Sequence, residues 1–129
     1  MITMIVYVKR AKGMTREAFS RYWFDNHAPL VLGTPEFMRH VRKYIQYHYA
    51  PGQAAAGSLF GDIADDYDGV GEIWFDSREA MNEALNEPVY LKNVKPDEHR
   101  FIDLDNCLSF VAEERVIYVD EKYRKEVNA

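Results

Sequence analysis

Only one cysteine, Cys107, stands in the chain, so neither an intrachain disulfide nor a cysteine zinc cluster can form. Histidine is scarce too. His27, His40, His48 and His99 include no HExxH string and no i, i+4 pair, and the acids Asp62, Asp65, Asp66 and Asp68 lack the ligand spacing and distal glutamate of an EF-hand loop. GxGxxG, GxxxxGK and GxSxG are missing, which removes dinucleotide, phosphate-loop and serine-hydrolase readings. The sequence therefore predicts no metal and no cofactor. No apolar run approaches the roughly 18 residues of a membrane span, and the opening MITMIVYVKR places its basic residues after its apolar ones, the reverse of a secretory signal. With a net charge of −5 and no basic stripe, the chain also lacks the electrostatic term that drives nucleic-acid binding. These absences describe a soluble, cytoplasmic protein with neither membrane nor nucleic acid as a partner.

What is present fits one α+β domain over residues 1–129. Ile2 to Val8 is apolar at nearly every position, as in a strand covered on both faces. Thr15 is placed to cap a helix on which Phe19, Tyr22, Trp23, Asn26, His27 and Leu30 recur at helical spacing. Pro29 puts an end or kink just after His27, although the pattern can continue to Val31. Val41 to Tyr49 alternates between a mostly apolar set and the polar set Arg42, Tyr44, Gln46 and His48. Residues 51–68 form a long connection of small and acidic residues, a candidate lid. Gly71 to Phe75 is a third strand, and Asp76 with Glu79 resembles a capping box for a second helix closed by Pro88. A polar segment with Tyr90, Pro96, Asp97, His99, Phe101 and Asp103 leads to a last strand from Cys107 to Val119. The order is βαββαβ. Two helices cover one face of such a sheet, so a first strand apolar on both sides implies a second copy of the chain on the other face.

The string MTREAFSRYWFDNHAPLV resembles the first-helix signature of EthD-type proteins. DGVGEIWFDSREAM resembles their third strand and second helix, and DEHRFIDLDN with the later EER their C-terminal part. The resemblance spans nearly the whole chain. It implies a ferredoxin-like fold with an antiparallel sheet and helices on one face, paired into a dimeric α/β barrel, with a pocket between sheet and helices. It also implies kinship with methylmuconolactone isomerases and polyketide cyclases or decarboxylases. These relatives are mostly cofactor-free acid–base catalysts acting on hydrophobic, oxygenated, often aromatic molecules, while the founding EthD proteins have no clear activity. The isomerase branch has a histidine at the end of the first helix, a Lys-Tyr pair in the second strand and a GExWF third strand, matched here by His27, Tyr44 and Gly71 to Phe75.

His27, on the face of Phe19 and Trp23, is the candidate general acid or base; the alternative is a structural histidine bonded to a loop carbonyl. Tyr44 is the candidate polariser of a substrate carbonyl, or else a strand tyrosine that buries its ring and wets its hydroxyl. Tyr22, Trp23, Gln46, His48 and Asp103 are candidate substrate contacts, with Trp23 a wall. Asp97 and His99 share Asp103's polar segment, Asp25 and His40 read as surface groups, and Glu72 needs a partner across the sheet or an edge. Cys107 reads as a buried strand residue. The expected activity is that of a cofactor-independent lyase or isomerase. A non-catalytic binding dimer and a cofactor-free or haem-degrading monooxygenase, with His27 or His48 as iron ligand, are the alternatives.

Overall fold

The apolar N-terminal run Ile2–Val8 forms strand β1 in the interior of a four-stranded antiparallel sheet of order β2-β3-β1-β4, where β2 is Val41–His48, β3 Gly69–Phe75 and β4 Leu108–Glu113. The computed structural model describes residues 1–50, 52, 60–63 and 66–123. Most of the expected lid, residues 51, 53–59 and 64–65, lies outside them. Met4 stands opposite Ile73 and Val111, and Ile5 opposite Glu72 and Phe110. Met4, Val6 and Val8 face the helices; by strand alternation Thr3, Ile5 and Tyr7 face away.

Helix α1 (Arg16–Tyr22) begins where Thr15 Oγ1 accepts the Ala18 N–H at 3.1 Å, as the sequence predicts. The chain does not leave the helix after His27. A π turn (Trp23–His27) leads into α2 (Ala28–Leu32), with the Ala28 N–H bonded to the Trp23 carbonyl. This wider turn lies directly ahead of Pro29, whose ring nitrogen has no hydrogen to give and whose ring would crowd an α-helical carbonyl. α3 (Pro35–Met38) closes this layer. The second helix, α4 (Arg78–Leu85), is capped by Ser77, whose Oγ accepts the Ala80 N–H, one residue later than the sequence pattern indicated. Asp76 instead pairs with Arg42 at 2.8 Å.

The segment expected to be irregular is helical as well, with a π turn at Tyr90–Val94, α5 at Lys95–Glu98 and a 3-10 turn at Leu104–Asn106. Tyr90, Val94 and Glu98 recur every fourth residue and supply its inward face. β4 starts after Cys107 and ends at Glu113, so residues 114–119 do not extend the strand.

Two apolar clusters hold the helices to the sheet. Val31, Phe37, Phe75, Met81, Ala84 and Val94 form one, and Val8, Phe19, Trp23 and Phe101 the other. Phe19, Phe37, Phe75 and Phe101 are fully buried, each contributing about 1.5–3 kcal/mol by apolar transfer. Beside the second cluster, buried Asp68 accepts from the Arg10 N–H at 2.8 Å and pairs with the Arg10 and Arg16 guanidinium groups at 2.6 and 2.8 Å. Burial would raise this carboxyl, but these bonds outweigh it and hold the group below the usual carboxylate range.

Candidate active site

Phe19, Trp23, His27 and Val31 are all buried and lie four residues apart. In a straight α-helix each step of four residues would rotate the side chain by about 40°. The π turn winds more slowly and takes back part of that rotation, so one stripe reaches from the packed cluster to the space between the clusters. There His27 Nδ1 lies 2.9 Å from Asp97 Oδ2, while the Tyr22 hydroxyl donates to Asp97 Oδ1 at 2.6 Å and Arg100 Nε stands 3.8 Å away. A carboxylate only accepts, so Nδ1 carries the proton and Nε2 is the basic nitrogen. Among the described residues no buried polar side-chain atom lacks a hydrogen bond, and Nε2 has no protein partner, so it opens onto the cavity that His27 lines. His27 sits inside a continuous helical run rather than at its end.

The strand wall carries a second chain of hydrogen bonds. A bulge between Val41 and Lys43 turns Val41 and Tyr44 toward the same side, so that Tyr44, Gln46 and His48 of the polar set face the helices while Arg42, exposed in the bulge, pairs with Asp76. Gln46 Nε2 donates to the Trp23 carbonyl at 3.0 Å and to the Tyr44 hydroxyl at 3.1 Å. The carbonyl accepts only, so it fixes the amide orientation and leaves Gln46 Oε1 to accept from His48 Nε2 at 2.8 Å. His48 Nδ1 then accepts from the Ser20 hydroxyl, and burial holds this imidazole below its ordinary pKa. Since Tyr44 Oη receives a hydrogen bond, its own proton is free for the cavity. Burial pushes the Tyr44 hydroxyl up, outweighing the Gln46 bond, so it is a donor at neutral pH.

The cavity has a volume of about 340 Å³ and is mostly apolar, with Met4, Val6, Ile73, Leu85 and Val94 among its walls and Leu104 and Leu108 exposed at its edge. That is the ordinary size of a small-molecule site. Besides His27 and Tyr44, the polar residues Tyr90, Glu98 and Ser109, none of them a candidate from the sequence, line it. The Tyr90 hydroxyl donates to Glu98 Oε1 at 3.2 Å. Burial pushes the Glu98 carboxyl up, with His27 and the Tyr90 bond acting the other way. Burial and Glu98 together push the Tyr90 hydroxyl up strongly. The fourfold spacing of Tyr90, Val94 and Glu98 was the signal available for both.

The other sequence candidates separate. Trp23 is a wall of the cavity, packed over β3 where a Cβ on Gly69 would come within 2.8 Å of the indole. Tyr22, Gln46 and His48 stand behind the wall and orient Asp97 and Tyr44. Asp103 is elsewhere, bonded to Asn106 Nδ2 at 2.8 Å beside Lys9 and Arg10, where its own N–H donates to the Lys9 carbonyl at 2.9 Å and Ile102 bridges to Arg10. The carboxylate of that segment that meets the histidine is Asp97. Glu72 is on the far side of the sheet and accepts from Trp74 Nε1 at 3.2 Å. His40 is not a surface group but is shielded against Glu87 at 3.3 Å, while Asp25 and His99 are exposed. Cys107 precedes β4 rather than lying in it, is half-buried, and donates to the Asp103 carbonyl. Among the described residues no group of three or more His, Cys, Asp or Glu is placed to hold a metal ion, and no helix is long and apolar enough to cross a membrane.

A four-stranded antiparallel sheet with its helices packed on one face defines an α+β protein of the ferredoxin-like class, and the cavity between them carries a histidine–aspartate pair, two tyrosines and a half-buried carboxyl. Residues 11–105 match the EthD domain, and the chain belongs to that family. It is 26% identical over 106 residues, 80% of this chain and 75% of the relative, to a protein of Metarhizium robertsii named conidial pigment biosynthesis dehydratase EthD. An ethyl tert-butyl ether D (EthD) family protein from Bacillus halodurans superposes with a TM-score of 0.62 at 20% identity, covering 89% of this chain and all but a hundredth of that one (99%). A dimeric ferredoxin-like protein of unknown function from Thermobifida fusca superposes with a TM-score of 0.57 at 12% identity over 88% of this chain and 90% of its own.

Proposed function

We propose that this chain is a cofactor-independent lyase of the dehydratase type, acting on a small hydrophobic, oxygenated substrate with an aromatic or polyketide-like skeleton. The observation that carries the reading is the His27–Asp97 pair at 2.9 Å, with Nε2 facing the cavity that Tyr44 also lines. His27 Nε2 removes a proton from the carbon next to a carbonyl, Asp97 stabilises the imidazolium that results, and the Tyr44 hydroxyl donates to the developing enolate oxygen. The dehydratase name of the Metarhizium robertsii relative agrees with this chemistry. A haem-degrading reading has less support: His48 has both ring nitrogens engaged, and a space of about 340 Å³ suits a one- or two-ring molecule better than a porphyrin.

The test is proton exchange. Incubated with 1-tetralone in deuterated buffer, the protein is expected to accelerate deuterium incorporation beside the carbonyl, read by proton NMR, and His27→Ala to lose that acceleration. A wild-type rate no faster than buffer would favour the binding-dimer alternative.

The proposed assembly is a homodimer through the sheet face turned away from the helices. Ile5, Tyr7, Ile45, Val70, Trp74 and Phe110 give that face apolar side chains on all four strands, with Glu72 and Lys43 among them. Sedimentation is expected to give twice the chain mass at micromolar concentration, and a monomer there would refute the pairing.

A further inference from the structure

Asp97 and Glu98 are consecutive carboxyls of α5 in opposite surroundings. Asp97 collects the Tyr22 hydroxyl, the His27 ring and, at 3.8 Å, Arg100. Glu98 turns the other way, lines the cavity beside Val94 and Tyr90, and receives only the Tyr90 hydroxyl at 3.2 Å. No salt bridge to Glu98 forms among the described residues, and neither lysine nor arginine lines the cavity. We infer that Glu98 is the acid that protonates a departing hydroxyl, so that the reaction at this site is loss of water from a β-hydroxy ketone. The inference rests on the proposed role of His27 as proton acceptor.

The atoms balance without a further reactant. The bond from hydrogen to the α-carbon breaks and its proton goes to His27 Nε2. The electron pair passes through the enolate held by Tyr44 to form the new double bond, the β-carbon–oxygen bond breaks, and the Glu98 proton completes a water molecule. A proton moved from His27 back to Glu98 through released water restores the site. Burial raises this carboxyl and so favours the protonated form that a proton donor needs. His27 is near enough that positive charge on it lowers the proton affinity of Glu98. The first proton transfer therefore makes the acid stronger for the second. Decarboxylation fits less well, because a substrate carboxylate would find no cation on these walls and would face Glu98.

The test compares leaving groups. 3-Hydroxy-1-tetralone must expel hydroxide to become 1-naphthol, while its 3-acetoxy analogue expels acetate, which needs little protonation. Wild type is expected to form 1-naphthol from both. Glu98→Gln, with the fold checked by circular dichroism, is expected to lose about 10²- to 10⁴-fold on the hydroxy compound and less than about tenfold on the acetoxy compound. Tyr90→Phe should lie between the two, since it loosens the acid without removing it. Equal losses on both compounds, or no loss on either, would overturn the assignment of Glu98. Exchange of 1-tetralone without elimination by wild type would also overturn it while leaving His27 as base. Absence of exchange would overturn both readings together.

Discussion

On the helical wall of the cavity the polar groups end in carboxyls, with His27 anchored on Asp97 and Tyr90 on Glu98. On the strand wall every group is neutral, running from His48 through Gln46 to Tyr44, with Ser20 of α1 bonded to His48 at its far end. The helical wall can change charge within a reaction cycle. The strand wall holds one donor in one direction, because the Trp23 carbonyl fixes the Gln46 amide. In the proposed reaction, proton transfer would belong to one wall and orientation to the other, and the π turn joins the two walls. It places His27 on the inward stripe, and its first residue, Trp23, offers the carbonyl that anchors Gln46.

The largest effect should come from the charged wall. His27→Ala is expected to lower exchange and elimination by about 10²- to 10⁴-fold per folded molecule, in addition to about 1–3 kcal/mol of stability lost with its bond to Asp97. Asp97→Asn keeps the ring but loses the carboxylate that selects its tautomer, and should cost about 10- to 100-fold. Rate and melting temperature measured on the same preparations separate chemistry from folding. A lowered melting temperature with normal turnover per folded molecule would make His27 a core histidine and erase the contrast between the walls.

A second effect is a pH dependence of stability. Glu98 is raised in the fold, so the folded state holds its proton more tightly than the unfolded chain does. The stability this contributes is fully present below the ordinary value of 4.5 and is lost as pH rises through the folded value. Glu98→Gln cannot ionise. Its stability relative to wild type should therefore rise with pH from about 4.5 upward, by about 1.4 kcal/mol for each unit by which the carboxyl is raised. Denaturant titrations of both proteins at several pH values measure this, and parallel curves would place Glu98 in a watery, unperturbed setting.

How much of this was readable differs between the walls. The stripe Phe19, Trp23, His27 and the alternation around Tyr44 are local periodicities, which a sequence displays directly. Asp97 meets His27 across 70 residues, a pairing no local pattern encodes, and Asp103, from the same polar segment, is the contact the sequence suggests instead. Glu98 and Tyr90 were hidden because Lys92, Asn93, Lys95 and Pro96 make their segment read as polar and interrupted, while the inward face comprises only every fourth residue. The bulge in β2 and the π turn before Pro29 have no residue signature strong enough to be read alone. Together they decide that a polar strand face becomes the lining of a site.

The smallest effects belong to the neutral wall, and they separate orientation from stability. Tyr44→Phe removes the donor to the enolate but leaves Gln46 bonded to the Trp23 carbonyl and to His48, so it should slow exchange about tenfold, the worth of one hydrogen bond, with little change in melting temperature. Gln46→Leu does the reverse. It keeps the Tyr44 hydroxyl yet strands the half-buried His48 N–H and frees Tyr44 to turn, so exchange should fall only a few-fold while stability drops by about 1–3 kcal/mol. If Gln46→Leu slowed exchange as much as Tyr44→Phe without destabilising the fold, Gln46 would be touching the substrate itself. The strand wall would then share in recognition, and the division of labour between the walls would not hold.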